Sequence, residues 1–125
     1  MPRTILVVDD DEKLNRLLKR FLKDYGFEVY SATDAHEGLK KCRTVLPDLI
    51  ILDVMLPGKT GFEIMAELRS DDTLAEMPVL MLTARGQARD REMALQAGVS
   101  RFMTKPFSNE EMLSTVRELT AGRVS

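Results

Sequence analysis

The sequence has one cysteine, Cys42, and one histidine, His36, in 125 residues. A lone thiol closes no internal disulfide. With no export signal in "MPRTILVVDD", the expected compartment is the cytoplasm. No run approaches ~18 consecutive apolar residues, so no membrane-spanning helix is expected. Basic charge is not in excess either: 18 Lys and Arg face 20 Asp and Glu, for a net charge of −2. That balance argues against direct nucleic-acid binding by this domain. Internal repeats and low-complexity tracts are also absent. What remains is a length suited to one core, with 44% hydrophobic and 30% charged residues. Residues 1–121 are expected to form one domain, and within the closing "TAGRVS" residues 122–125 are a tail or the start of a linker.

Five apolar or β-branched runs alternate with five helical patterns. The runs are "ILVV" (5–8), "FEVYSA" (27–32), "LIIL" (49–52), "VLML" (79–82) and "RFMT" (101–104). In the first helix Leu14, Leu17, Leu18, Phe21, Leu22 and Tyr25 form one stripe at i, i+3, i+4 and i+7 spacing, and Gly26 stands where a left-handed cap is wanted. Further helices are expected at about 34–45, 61–70, 87–97 and 109–120. Asp34 with Glu37, Thr60 with Glu63 and Ser108 with Glu111 have capping-box spacing at three of the starts. The fourth helix, "QARDREMALQA", has little apolar material and should be loosely held. His36 falls on a solvated face, and Cys42 on the apolar stripe of the second helix as inert core.

Strict β-α alternation with short connections predicts an α/β fold: a doubly wound, five-stranded parallel sheet with five helices on two faces. The first, third and fourth runs are continuously apolar, as central strands must be. The second alternates and the fifth is half polar, as edges can be. The order 2-1-3-4-5, flavodoxin-like, satisfies this with right-handed crossovers.

"VVDDDEKL" then poses a question of charge. Two unit charges ~4 Å apart repel by about 4 kcal/mol at an effective dielectric near 20, so three adjacent acids need a counter-charge or different directions. In such sheets sites form beyond the carboxyl ends of the strands, at the point where strand order reverses. The first strand ends in Asp9 and Asp10, and the third in Asp53; the fourth ends in Thr83, and the fifth in Lys105 before Pro106. Three carboxylates, a hydroxyl and an ammonium should meet there. Clustered oxygens without ring nitrogens or thiolates suit a hard divalent cation, Mg²⁺ above others. Lys105 would serve as counter-charge for an incoming phosphoryl oxygen. Asp11 is expected outside the site, capping the first helix.

With these residues placed, the chain resembles a response-regulator receiver domain, the phosphoacceptor module of two-component signalling. The resemblance covers essentially the whole chain and rests on "VVDDD" (7–11), "LIILDVMLPGKTGFE" (49–63), "LMLTAR" (80–85) and "FMTKPF" (102–107). It implies that Asp53 accepts the phosphoryl group, and that Asp10, Asp9, Asp53 and the backbone carbonyl of Met55 hold Mg²⁺. Thr83 would be the hydroxyl that moves to a phosphoryl oxygen, Phe102 the aromatic that swings in behind it, and Lys105 the active-site ammonium, with a cis bond to Pro106. The implied partners are a sensor histidine kinase or histidine phosphotransfer protein as donor, and an output domain or effector protein as receiver of the signal. The helix 4–strand 5–helix 5 face would carry the switch, and a homodimer through it is compatible. The module would not be an enzyme beyond self-phosphorylation from donors and slow self-dephosphorylation, because Met55 cannot orient an attacking water. Phe102 stands where many members carry Tyr, so the steric part of the switch survives without a hydroxyl contact. Arg85 and Arg101 have no evident partner.

Two other readings use the same parts. An Mg²⁺-dependent phosphohydrolase with an Asp nucleophile would use the Asp9-x-Asp11 spacing, but the residue two past Asp11 is Lys13 rather than a hydroxyl, and such enzymes usually need more chain. A flavin- or nucleotide-binding module would want a Gly- or Ser/Thr-rich loop after the first strand, where this chain places three acids.

Overall fold

A computed structural model describes residues 2–84, the backbone of 88–90, and residues 91–121. Arg85 and the 122–125 tail, on which the sequence carries expectations, lie outside the described residues. In chain order the elements are β1 (Thr4–Val8), α1 (Glu12–Asp24), β2 (Glu28–Ala32), α2 (Ala35–Val45), β3 (Leu49–Asp53), α3 (Gly61–Ser70), β4 (Val79–Thr83), α4 (Ala88–Gln96), β5 (Arg101–Thr104) and α5 (Asn109–Ala121). The sheet order is β2-β1-β3-β4-β5 and every pairing is parallel. The expected order and the alternation of five strands with five helices are both present.

Side chains alternate across the sheet, and each face has its own core. Leu6, Val8, Ile50, Leu52, Val79 and Met81 pack with Ala35, Leu39 and Cys42 of α2, Ile64, Met65 and Leu68 of α3, and Ala94 of α4. Ile5, Val7, Leu49, Ile51, Leu80 and Leu82 pack with Leu18 and Leu22 of α1 and Met112 and Val116 of α5. Strands β3 and β4 are buried at every position, whereas β2 and β5 expose residues, as edges do.

Helix ends follow local chemistry. Asp11 caps α1, accepting from the amides of Lys13 and Leu14 at 3.0 and 3.2 Å. Thr60 and Glu63 form a reciprocal capping box at α3. Asp34 and Ser108 each accept from the amide three residues on. Gly26 follows α1 at φ +92°. His36 is exposed and Cys42 buried; burial pushes the Cys42 thiol up to about 12, which keeps it protonated and inert.

The chain between α3 and β4 had no expected structure. It tucks Leu74 and Met77 into the core, and Arg69 holds it in place. The Arg69 guanidinium donates to the carbonyls of Ala75 at 2.8 Å, Met77 at 3.0 Å and Gly98 at 2.7 Å, tying this segment to the end of α4. Helix α4 is thinly packed, as its composition predicts: Ala94 is buried, while Met93 and Leu95 stay exposed.

Candidate functional site

The site lies where β1, β3, β4 and β5 end. Strands β1 and β3 pair in register from Ile5 with Leu49 to Val8 with Leu52, so Asp9 and Asp53 follow the last shared rung together. Asp9, Asp10 and Asp53 each offer a carboxylate oxygen, and these oxygens lie within 4.8 Å of one another. Asp9 is 1% exposed and Asp53 7% exposed, whereas Asp10 faces solvent. The ammonium of Lys105 donates to Oδ2 of Asp9 at 2.7 Å and to Oδ2 of Asp53 at 3.4 Å. The charge question raised by the sequence is thereby answered in two parts: Lys105 faces two of the acids, and Asp11 turns away to cap α1.

Burial raises the Asp53 carboxyl above its ordinary range, and the negative charge of Asp9 raises it further. Lys105 and the Met55 amide, which donates to Asp53 Oδ1 at 3.3 Å, oppose that rise without cancelling it. For Lys105, burial works against the charged form, but the hydrogen bond and charge of Asp9, with Asp53 behind it, prevail and raise its pKa.

The remaining expected residues surround this cluster at different depths. Thr83 is buried at the end of β4, and its carbonyl accepts the Lys105 amide at 2.7 Å. The Met55 side chain is 60% exposed at the rim. The Lys105–Pro106 bond is cis. Phe102 lies outside the acid cluster, half-buried against the core between the sheet and α2, α3 and α4, and the Arg91 guanidinium sits over its ring, 5.7 Å from the centroid. Arg101, for which the sequence offers no partner, pairs with Glu118 of α5.

Two residues that frame the site were not singled out for it. Asn15 is 3% exposed, and its Nδ2 donates to the carbonyl of Asp9 at 2.8 Å. It falls three residues before Leu18 and seven before Leu22, on the apolar stripe, and a polar residue at that spacing was the available signal. Gly61, the first residue of the helix expected at about 61–70, is the other. Its amide donates to Val54 at 2.7 Å, and a Cβ there would stand 2.7 Å from the Asp53 carbonyl oxygen.

As a test of metal fit, the donors at the cluster are carboxylate oxygens, one pair of them buried beside an exposed third. That set suits a hard cation of small radius. Among the described residues no helix is long and apolar enough to cross a membrane.

Comparison with known proteins agrees with this geometry. The model of the response regulator receiver domain family matches residues 5–117. The chain is 43% identical over 119 residues to the alkaline phosphatase synthesis transcriptional regulatory protein PhoP of Bacillus subtilis, covering 95% of this chain and 49% of that protein. It is 44% identical over 119 residues, with the same coverage of each, to the DNA-binding dual master transcriptional regulator RpaA of Synechocystis. The chain therefore spans about half the length of these curated relatives. Among solved structures it resembles the chemotaxis protein CheY4 of Vibrio cholerae, with a TM-score of 0.90 and 31% identity over 95% of this chain and 99% of that one. It also resembles the receiver domain of a signal transduction histidine kinase from Syntrophus aciditrophicus, with a TM-score of 0.89 and 30% identity over 98% of this chain and 95% of that one. A doubly wound sheet with three acids and a lysine at its switch point, matched over nearly its whole length, belongs to the response regulator receiver domain family.

Proposed function

We propose that this domain accepts a phosphoryl group on Asp53 from a phosphohistidine of a partner kinase or phosphotransfer protein and relays the signal to an output domain or effector. The observation that carries the reading is the convergence of Asp9, Asp10 and Asp53 within 4.8 Å, with the Lys105 ammonium bridging two of them. Asp53 is assigned as the nucleophile because it ends β3 within "LIILDVMLPGKTGFE", the stretch that resembles the phosphoacceptor motif of the family, and the Met55 amide donates to its Oδ1 at 3.3 Å. Its carboxylate oxygen forms the new P–O bond as the donor's P–N bond breaks and the electron pair returns to the imidazole. Lys105 faces Asp53 and balances charge gathering on the phosphoryl oxygens. Asp9, Asp10, Asp53 and the backbone carbonyl of Met55 would hold Mg²⁺, which when bound neutralises phosphoryl charge. The phosphohydrolase reading is not favoured: the receiver-domain family matches residues 5–117, and the residue two past Asp11 is Lys13 rather than a hydroxyl.

The signal leaves through neighbouring strand ends. Thr83 turns its hydroxyl to a phosphoryl oxygen, and Phe102 fills the space behind it. Thin packing on α4 lets the α4–β5–α5 face respond. Residues 1–121 act as the receiver unit, 122–125 serve as a tail or the start of a linker, and the setting is the cytoplasm.

Intact mass after incubation with Mg²⁺ and acetyl phosphate tests the chemistry. The parent should gain one phosphoryl group and Asp53→Asn none, and chelation of the metal should prevent the gain. Incorporation that persists in Asp53→Asn would contradict the assignment. The same material reports lifetime: the Met55 thioether at the rim cannot orient an attacking water, so the acyl phosphate should decay slowly. Loss within seconds in Mg²⁺ would count against that role.

A further inference from the structure

Asn15 is a polar side chain enclosed among the hydrocarbon that α1 turns to the sheet, beside Leu18 and Leu22. Its Nδ2 donates to the carbonyl of Asp9 at 2.8 Å and to that of Ala32 at 3.3 Å. Among the described residues its Oδ1 is buried with no hydrogen-bond partner. An unsatisfied buried acceptor is destabilising, and a leucine would remove it at no loss of apolar contact. The same leucine would strip the Asp9 carbonyl of its Nδ2 donor, so one unpaired acceptor replaces another and stability alone does not account for the asparagine.

Its placement has a more specific consequence. Strand β1 ends at Val8, so the Asp9 carbonyl leaves the ladder at the point where the chain enters the acid cluster. That carbonyl belongs to the planar peptide joining Asp9 to Asp10. Holding its oxygen fixes the plane, and with it the Cα from which the Asp10 carboxylate departs. The rest of Asp9 is already secured: its amide donates to Ala32 at 3.1 Å, Oδ1 accepts from the Asp11 amide at 2.9 Å, and Oδ2 accepts from Lys105. Among the described residues, the Asn15 amide supplies the side-chain hydrogen bond that holds the peptide between the two acids.

We propose that Asn15 is a positioning residue: its buried amide orients the Asp9–Asp10 peptide and thereby sets the affinity of the acid cluster for a divalent cation. The proposal rests on the reading of that cluster as a metal site. Outer groups that orient metal ligands typically change affinity by about 10- to 100-fold when removed.

Calorimetric titration of MgCl₂ into the full chain tests it. Asn15→Leu should weaken Mg²⁺ binding about 10-fold or more, while its melting temperature in chelator stays near the parent's. Leu18→Ala, a cavity on the same face of α1, should lower the melting temperature yet leave Mg²⁺ affinity within about twofold. Asn15→Ala provides the same comparison if the leucine overpacks and fails to fold. Unchanged affinity in a folded Asn15 variant would overturn the proposal, and so would an equal loss in Leu18→Ala, which would mean general loosening. A parent that takes up no Mg²⁺ would instead overturn the metal reading itself.

Discussion

Replacing Lys105 with methionine is expected to slow phosphoryl incorporation from acetyl phosphate by about 100-fold or more at neutral pH. Removing a preorganised donor aimed at developing charge commonly costs that much. The stem length is kept, so the loss isolates the ammonium. Two effects add in this site. The counter-charge for the transferred group disappears, and Asp9 and Asp53 face one another uncompensated. Lys105 lowers the Asp53 pKa by charge and hydrogen bond, so its removal raises a carboxyl that burial and Asp9 already hold above its ordinary value. More of the nucleophile is then protonated and unreactive.

The same variant carries a stability signature with a definite sign. An acid whose folded pKa lies above its unfolded value favours the folded state below the unfolded pKa, and that advantage is lost as pH rises through the folded pKa. For Asp53 the window begins at the ordinary 3.8 and extends upward. Lys105 has the raised pKa of a paired amine, so its contribution is present below 10.5 and is lost above its folded value. Lys105→Met should thus be less stable than the parent near neutrality, with the deficit shrinking as pH falls toward 4. Urea denaturation across that range measures it. A deficit that grows on acidification would mean that Asp53 and Asp9 are not in repulsion.

Much of this site could be read because its residues end strands, and strand ends in a doubly wound sheet have fixed addresses. "ILVV", "LIIL" and "VLML" are apolar throughout, so β1, β3 and β4 had to be central, and the residues just past their ends had to meet. Asp9, Asp10 and Asp53 were legible on that ground alone, and Lys105 from its place at the end of the neighbouring edge strand β5. Helix α1 was legible from its stripe, but Asn15 within that stripe was not: periodicity finds the apolar face and says nothing of why one polar residue sits in it. Arg69 was hidden for a different reason. Its partners are backbone carbonyls of residues 75, 77 and 98, and carbonyl positions leave no mark on residue type. The edge residue Arg101 found Glu118 across the sheet-to-helix packing, a pairing of sequence-distant charges that spacing cannot show.

Gly61→Ala should be the most damaging of the small substitutions near the site, destabilising the domain by about 2–4 kcal/mol. The reason is space. No positive φ is involved at Gly61, in contrast to Gly58 at φ +90°. The chain after β3 turns back so tightly that the Gly61 amide bonds to the Val54 carbonyl at 2.7 Å. A Cβ at Gly61 would meet the Asp53 carbonyl oxygen at 2.7 Å and the Val54 Cα at 3.0 Å. Both are backbone atoms, so no rotamer relieves the clash; either α3 retreats or the end of β3 moves. Overpacking of this kind costs about 1–3 kcal/mol, and more where backbone must shift. Gly58→Ala supplies the contrast, because a Cβ there has nothing within 4 Å. Its cost is conformational alone, about 1–2 kcal/mol for an L-residue in the left-handed region. The larger change at Gly61 should also reach the chemistry. A displacement of ~1 Å at a reacting group can cost about 100-fold, so Gly61→Ala should lose phosphoryl incorporation out of proportion to the fraction unfolded, and Gly58→Ala should not. Urea denaturation of both variants, with incorporation rates taken at a temperature where each is folded, decides the matter. If Gly58→Ala proved the more harmful on both measures, the close approach of α3 to the acceptor strand would not be what places Asp53.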